Sequence, residues 1–244
     1  MEATIPPAEI DALNAVVFAV TRSLDEAATA LQRNDELAVW GVGCHPGLAS
    51  SQKQFSPTRF GELLETTCFA GEVGLDGARA NPDRQRATLR GALEVLQSLP
   101  RITSLHSAGA TTALLDELEA RPIVGAVLHW WLGDEHETAR AVALGCYFSV
   151  NQAGVSKNDL LSHVPLQRLL TETDHPFGDR RSRPQRPGNV EAVEATIAAH
   201  HGLPADEVRR QLWRNMATLV HETHCGRLVP RAIGHRLATV PTND

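Results

Sequence analysis

The chain has 244 residues, 42% of them hydrophobic and 21% charged, with a formal net charge of -6 at neutral pH. That length is near the ~250 residues of a single eight-fold α/β barrel, so one domain over residues 1–244 is the economical expectation. The acidic balance excludes a surface that attracts polyanions everywhere, the lack of any apolar stretch near ~18 residues excludes a membrane helix, and the start carries no basic n-region. The four cysteines (Cys44, Cys68, Cys146, Cys225) form no CxxC pair, which predicts reduced thiols in a cytoplasmic protein.

In chain order, Ile5-Pro6-Pro7-Ala8-Glu9-Ile10 reads as the entry to a first helix. An apolar run Ala15–Thr21 precedes Ser23-Leu24-Asp25-Glu26, a capping box that opens a helix to about Arg33. Ala38–Gly43 and Phe69–Leu75 read as strands, and a helix from about Arg84 to Leu99 leads into the strand Ile102–His106. The unit repeats: Thr112–Ala120 is helical, Ile123–His129 a strand, Asp134–Glu137 caps a helix through Ala143, and Cys146–Val150 and Leu169–Thr173 are strands. Asn189–His200 and Asp206–Thr223 are terminal helices separated by Leu203-Pro204. Alternating strands and helices imply a parallel sheet, and right-handed crossovers in sequence order close it into a TIM-type (β/α)8 barrel. The count is about seven strands against the eight of a closed barrel. The absent strand would precede Ala15, and Met1–Leu13 holds no apolar run to supply it.

Several of these runs end in acidic or imidazole side chains, and in a parallel barrel the chemistry collects at those ends. Glu72 lies within Gly71-Glu72-Val73-Gly74-Leu75-Asp76, where a carboxylate in an apolar strand is costly unless paired or metal-bound. His106 and His129 each terminate a strand. Either alone would read as a hydrogen-bonded core residue, but with Glu72 they make a His/His/carboxylate set suited to Zn or Mn, or to Mg with added waters. Glu172 and Asp174, two apart, are expected on one face of an extended strand, Asp174 as ligand or base and Glu172 as its support in an outer shell. The alternative for Asp174 is a cap on the following turn. His45, in Gly43-Cys44-His45-Pro46, is a candidate contact to a substrate phosphate, or else a loop histidine facing water. Arg180, Arg181, Arg183 and Arg186 crowd one loop after the Asp174 strand, with Arg183 and Arg186 taken as phosphate contacts and a solvated loop as the alternative. Trp130-Trp131 could stack on a base or form a lid, and His221-Glu222-Thr223-His224 lacks the i, i+4 spacing of a zincin helix.

These segments, together with Leu105-His106-Ser107, Leu128-His129 and Glu172-Thr173-Asp174 in this order from about Val16 to about Val220, resemble the TatD family of metal-dependent deoxyribonucleases. The resemblance implies an amidohydrolase-type barrel with two divalent metal ions (Mg, Mn or Zn). By it, Glu72 is the shared carboxylate, His106 and His129 are ligands of one metal, and Asp174 is a ligand and water-orienting group at the other. The family's first strand carries a His-x-His for the second metal, which has no counterpart here, so one full metal position is expected. Either Met1 is an internal methionine of a longer protein or the chain is a degenerate member. The first is favoured, because a whole strand is lost rather than side chains.

The expected activity is hydrolysis of DNA phosphodiester bonds, as an exonuclease on single strands or ends. The rivals are a small-molecule amidohydrolase, disfavoured because Lys53 and Lys157 end no strand and so supply no carboxylated lysine, and a catalytically impaired partner protein.

Overall fold

A computed structural model describes residues 5–155, 159–178, 187 and 189–239 of the chain. Among the described residues seven strands run parallel: β1 (Val17–Ala19), β2 (Ala38–Trp40), β3 (Phe69–Gly74), β4 (Ile102–His106), β5 (Ala126–His129), β6 (Tyr147–Val150) and β7 (Leu169–Thr171). β1 pairs with β2, and β3 to β7 pair in sequence order. The two sheets meet through a parallel bridge between Val42 and Ala70, and Thr21 and Glu72 continue the seam with a 3.1 Å bond from the Glu72 N–H to the Thr21 carbonyl. The result is one curved wall in chain order, the arrangement expected of a barrel short of one strand. Among the described residues, β1 and β7 pair along their inner edges alone.

The helices are α1 (Pro7–Asp11), α2 (Leu24–Ala30), α3 (Ala49–Gln54), α4 (Pro57–Leu64), α5 (Pro82–Ser98), α6 (Thr111–Ala120), α7 (Glu135–Ala143), α8 (Leu160–His163), α9 (Glu191–His201), α10 (Ala205–Glu222) and α11 (Arg231–Ala238). α7 has the full capping box, with Asp134 and Glu137 exchanging bonds. At α2 the expected box is half made: Ser23 accepts the Glu26 N–H, while the Glu26 carboxylate takes the N–H of Arg22 instead of that of Ser23. Short α3, α4, α8 and α11 go beyond the elements expected from periodicity.

Alternation along the strands sorts the core into two layers. Ala70, Leu105, Leu128, Phe148 and Leu169 turn outward into the apolar layer of the surrounding helices, which includes Leu89 and Leu93 of α5, Leu114 and Leu115 of α6 and Val208 and Leu212 of α10. Phe69, Ile102, Val127, Tyr147 and Leu170, at the beginnings of their strands, form the inner layer. Leu219 of α10, Cys225 and Ile233 of α11 close that layer from below, so the floor of the wall is apolar and sealed by the C-terminal helices. Asn215 fixes α10 to the β7 edge, donating from Nδ2 to the carbonyls of Leu166 and Leu169 at 2.7 Å each. Arg101 does similar work beneath β3 and β4, its buried guanidinium bonding the carbonyls of Leu64, Thr67 and Pro100.

Asn215 is buried, so Asn215→Ala takes the amide donor from the Leu169 carbonyl and from that of Leu166, which keeps only the Leu169 N–H, and is expected to cost about 1–3 kcal/mol. Urea unfolding checks this: the midpoint falls while the denaturant slope stays unchanged.

Candidate metal centre

The opposite end of the wall is polar. Glu72 is buried on β3, and its position depends on a register irregularity between Ala70 and Val73. Phe69 and Glu72 are three residues apart and regular alternation would place them on opposite faces, yet both point inward. Two glycines let the neighbouring backbone come close enough to surround the carboxylate. A Cβ on Gly43 would fall 2.0 Å from the Thr21 carbonyl oxygen and 2.4 Å from the Glu72 nitrogen. A Cβ on Gly74, whose φ is +148°, would fall 2.1 Å from the His106 carbonyl oxygen.

Three imidazoles converge on Glu72. His106 Nδ1 lies 2.6 Å and His129 Nε2 3.0 Å from Oε1, while His45 Nε2 lies 3.7 Å from Oε2. Burial by itself would raise the Glu72 carboxyl, but the His129 charge and the bonds from His106 and His129 outweigh it and hold Glu72 well below the usual range. Burial likewise opposes charge on His129, and the Glu72 and Glu172 carboxylates overcome it, raising His129 well above an ordinary histidine. His45 is lowered, chiefly by burial.

Glu172 lies on the far side of His129 from Glu72. It lies 3.5 Å from His129 Nδ1 and accepts the Trp130 N–H at 3.1 Å, the Asn151 amide at 2.9 Å and the Ser149 hydroxyl. The extended run predicted to Thr173 stops at Thr171, however, and Asp174 has a left-handed φ of 43°. Glu172 and Asp174 therefore do not share a face by strand alternation; a turn after β7 re-aims Asp174. Its carboxyl is pushed up to about 7, first by burial, with His129 opposing and Glu172 and Glu72 adding to the rise.

His45, Glu72 and His106 each offer a ligand atom within 4.8 Å of the others, whereas the expected set was Glu72, His106 and His129. Hydrogen bonding separates the two. The Gly47 N–H donates to His45 Nδ1 at 2.9 Å, so Nδ1 carries no proton, and a neutral His45 must carry its proton on Nε2, the atom that faces Glu72. His45 is thus a donor to the centre rather than a metal ligand. His106 Nε2, by contrast, is buried without a hydrogen bond, with Asp76 Oδ2 3.5 Å away. An orphaned buried imidazole nitrogen beside carboxylates fits a divalent cation. Next to His45, burial pushes the Cys44 thiol up to about 12, and its Sγ accepts from Gln52 Nε2 at 3.2 Å.

Other expectations fall differently. Arg180, Arg181, Arg183 and Arg186 lie outside the described residues, as does Lys157. Trp131 belongs to the core, bonding Thr138 at 2.9 Å and meeting Phe148 edge-on, so base stacking by it is corrected to packing. Sequence reasoning passed over Ser149 and Asn151, although polar residues two apart ending the apolar run Cys146–Val150 were the available signal. It also gave no role to Asp76.

A family model described as TatD related DNase matches residues 7–221. The chain belongs to the TatD family. The 3'-5' ssDNA/RNA exonuclease TatD of Edwardsiella piscicida is 31% identical over 181 residues, 68% of this chain and 69% of that protein. The uncharacterized metal-dependent hydrolase YjjV of Escherichia coli K12 is 28% identical over 206 residues, 78% of this chain and 79% of the relative. The crystal structure of YjjV matches with a TM-score of 0.78 at 24% identity, over 89% of this chain and 95% of that one. A TatD family hydrolase from Entamoeba histolytica matches at 0.70 and 17% identity, over 89% of this chain and 88% of that one. These likenesses show the TatD type of α/β barrel, and membership of the family makes the chain a metal-dependent hydrolase of ester bonds.

Because Asp174 has a folded value of about 7 against an ordinary 3.8, the unfolded chain gives up this proton first as pH rises. The metal-free protein therefore loses stability from this group between those two values, and the loss is complete above the higher one. Asp174→Asn, unfolded in urea with EDTA, should stabilise the metal-free protein more at about pH 8 than at about pH 5. Equal gains at both would contradict the burial of this carboxylate.

Proposed function

We propose that this TatD family member cleaves phosphodiester bonds of single-stranded DNA at its ends, in the cytoplasm, using Mg or Mn. The reading rests on one observation: the buried Glu72 carboxylate is ringed by imidazoles at the C-terminal ends of parallel strands, and one of them, His106, turns an orphaned Nε2 toward Asp76. Glu72, His106, His129 and Asp174 are the residues that would hold the cations. When bound, divalent cations stabilise charge on phosphoryl oxygens and lower the pKa of water toward neutrality.

The chain's own residues do the rest. Asp174, re-aimed by the turn after β7 and lying among Glu72, His129 and Glu172, is suited to orient an attacking water and accept its proton. Glu172, through its bond network, keeps the His129 ring aimed at Glu72. His45 presents Nε2–H to a phosphoryl oxygen, as expected of a substrate contact. A single-stranded substrate suits a chain of net charge -6, since it demands anion contacts only along a short local groove. The rival chemistry of a carboxylated lysine is not supplied by Lys53, which sits on α3.

The test is release of nucleotides from a single-stranded oligonucleotide in Mn or Mg. Activity should stop with EDTA, and Asp174→Asn should lower kcat by about 10²–10⁴-fold. Hydrolysis of small amide or ester substrates with no nucleotide release, or no activity in any metal, would replace this reading with one of its rivals.

A further inference from the structure

Arg79 stands at the mouth with nothing to do for the fold. It lies in the turn that follows β3, where the Arg79 N–H bonds the Asp76 carbonyl at 3.2 Å and Asp76 Oδ1 accepts the Ala78 N–H at 3.0 Å. The Gly77 N–H bonds the Ala108 carbonyl at 2.8 Å, pinning this turn to the loop after β4. The side chain is 64% exposed, and its one charged neighbour among the described residues is Asp76, whose Oδ2 is 3.7 Å from Nε. The same Oδ2 lies 3.5 Å from His106 Nε2, so one carboxylate separates the guanidinium from the orphaned imidazole nitrogen. Among the described residues the guanidinium makes no hydrogen bond, so its terminal nitrogens keep their donors. Arg22, at the end of β1, differs: its guanidinium is taken up by Glu26.

The side chain also reaches toward the β2 side of the mouth. A Cβ on Gly47 would come within 3.6 Å of Arg79 Nε and 3.0 Å of the His45 ring, so the glycine leaves Arg79 and His45 flanking the same small space. The donors on either side are complementary to one ligand. His45 offers a fixed Nε2–H, and Arg79 offers a planar fork that matches two oxygens of a phosphate.

We propose that Arg79 grips a phosphate of the substrate strand, its guanidinium fork and the His45 Nε2–H forming a two-point anion cradle on the β2–β3 side of the centre. Asp76 is the positioning residue, holding the Nε side so that the fork faces outward. The inference deepens the phosphodiester reading and rests on it for the identity of the ligand.

The experiment separates binding from cleavage. A fluorescein-labelled oligo-dT is titrated with the whole protein in EDTA, by anisotropy, over a range of NaCl. Arg79→Ala should bind about ten-fold more weakly, and its slope of log K against log salt should be shallower by about 0.7, one phosphate contact on a single strand. Arg79→Lys should recover the slope but only part of the affinity, because it keeps the charge and loses the fork. Arg227→Ala, an exposed arginine beyond the opposite end of the wall, should change neither. Mn binding, followed by calorimetry, should be the same in Arg79→Ala and in the natural protein. An unchanged slope in Arg79→Ala overturns the proposal, as do lost Mn binding in that variant and a natural protein that does not bind the oligonucleotide. Binding with the expected slope but no cleavage in any metal sinks the nuclease reading and leaves the Arg79 cradle standing.

Discussion

A single buried negative charge organises this molecule. Glu72 lies inside a wall of apolar strands, where an unpaired carboxylate would be strongly unfavourable, and it is held ionised by donors from three other strand ends. That requirement sets how close β2, β3 and β4 must come, and it explains glycine at positions 43 and 74, where any side chain would strike the neighbouring backbone. It also explains why β3 abandons regular pairing just before the glutamate. A uniform strand would have buried Glu72 among the leucines of the helical layer.

The two ends of the wall are built from different chemistry. At the floor, the inner residues are apolar, sealed by α10 and α11, and the buried polar groups there, Arg101 and Asn215, spend their hydrogen bonds on main-chain carbonyls. At the mouth, the inward residues are carboxylates and imidazoles, with Glu72 drawing His106 and His129 together and Glu172 meeting His129 from its other side. Glu172 receives donors from the main chain after β5 and from side chains at the end of β6, which makes the β5–β7 side of the mouth stiff. The β3 side ends in an exposed turn.

Much of this was legible in the sequence because strands buried on both faces leave continuous apolar runs, and the runs at Phe69, Ile102, Ala126 and Leu169 each end in a group with chemistry. All seven strands and the clustering of Glu72, His106 and His129 follow from that pattern together with the TatD motifs. Three things were not legible. The inward turn of Glu72 opposes the alternation that the sequence suggests, since it arises from a backbone irregularity. The left-handed Asp174 breaks the extended run without a glycine to announce it. The proton on His45 is settled by the main-chain N–H of Gly47, two residues away, which carries no side-chain signal at all. The polar helices α3 and α4 escaped because they are too short to show a period, although Ser56-Pro57 supplies an N-cap followed by proline at the first turn.

The placement of Cys44 bears on which elements the centre can retain. The thiol adjoins His45 in the chain, yet it belongs to the apolar layer with Leu24, Val42 and Phe60, and its Sγ accepts from Gln52. Sulfur is thereby turned away from Glu72, and the side-chain donor atoms grouped there among the described residues are nitrogen and oxygen. Such a set favours the harder divalent ions over those that win by thiolate affinity.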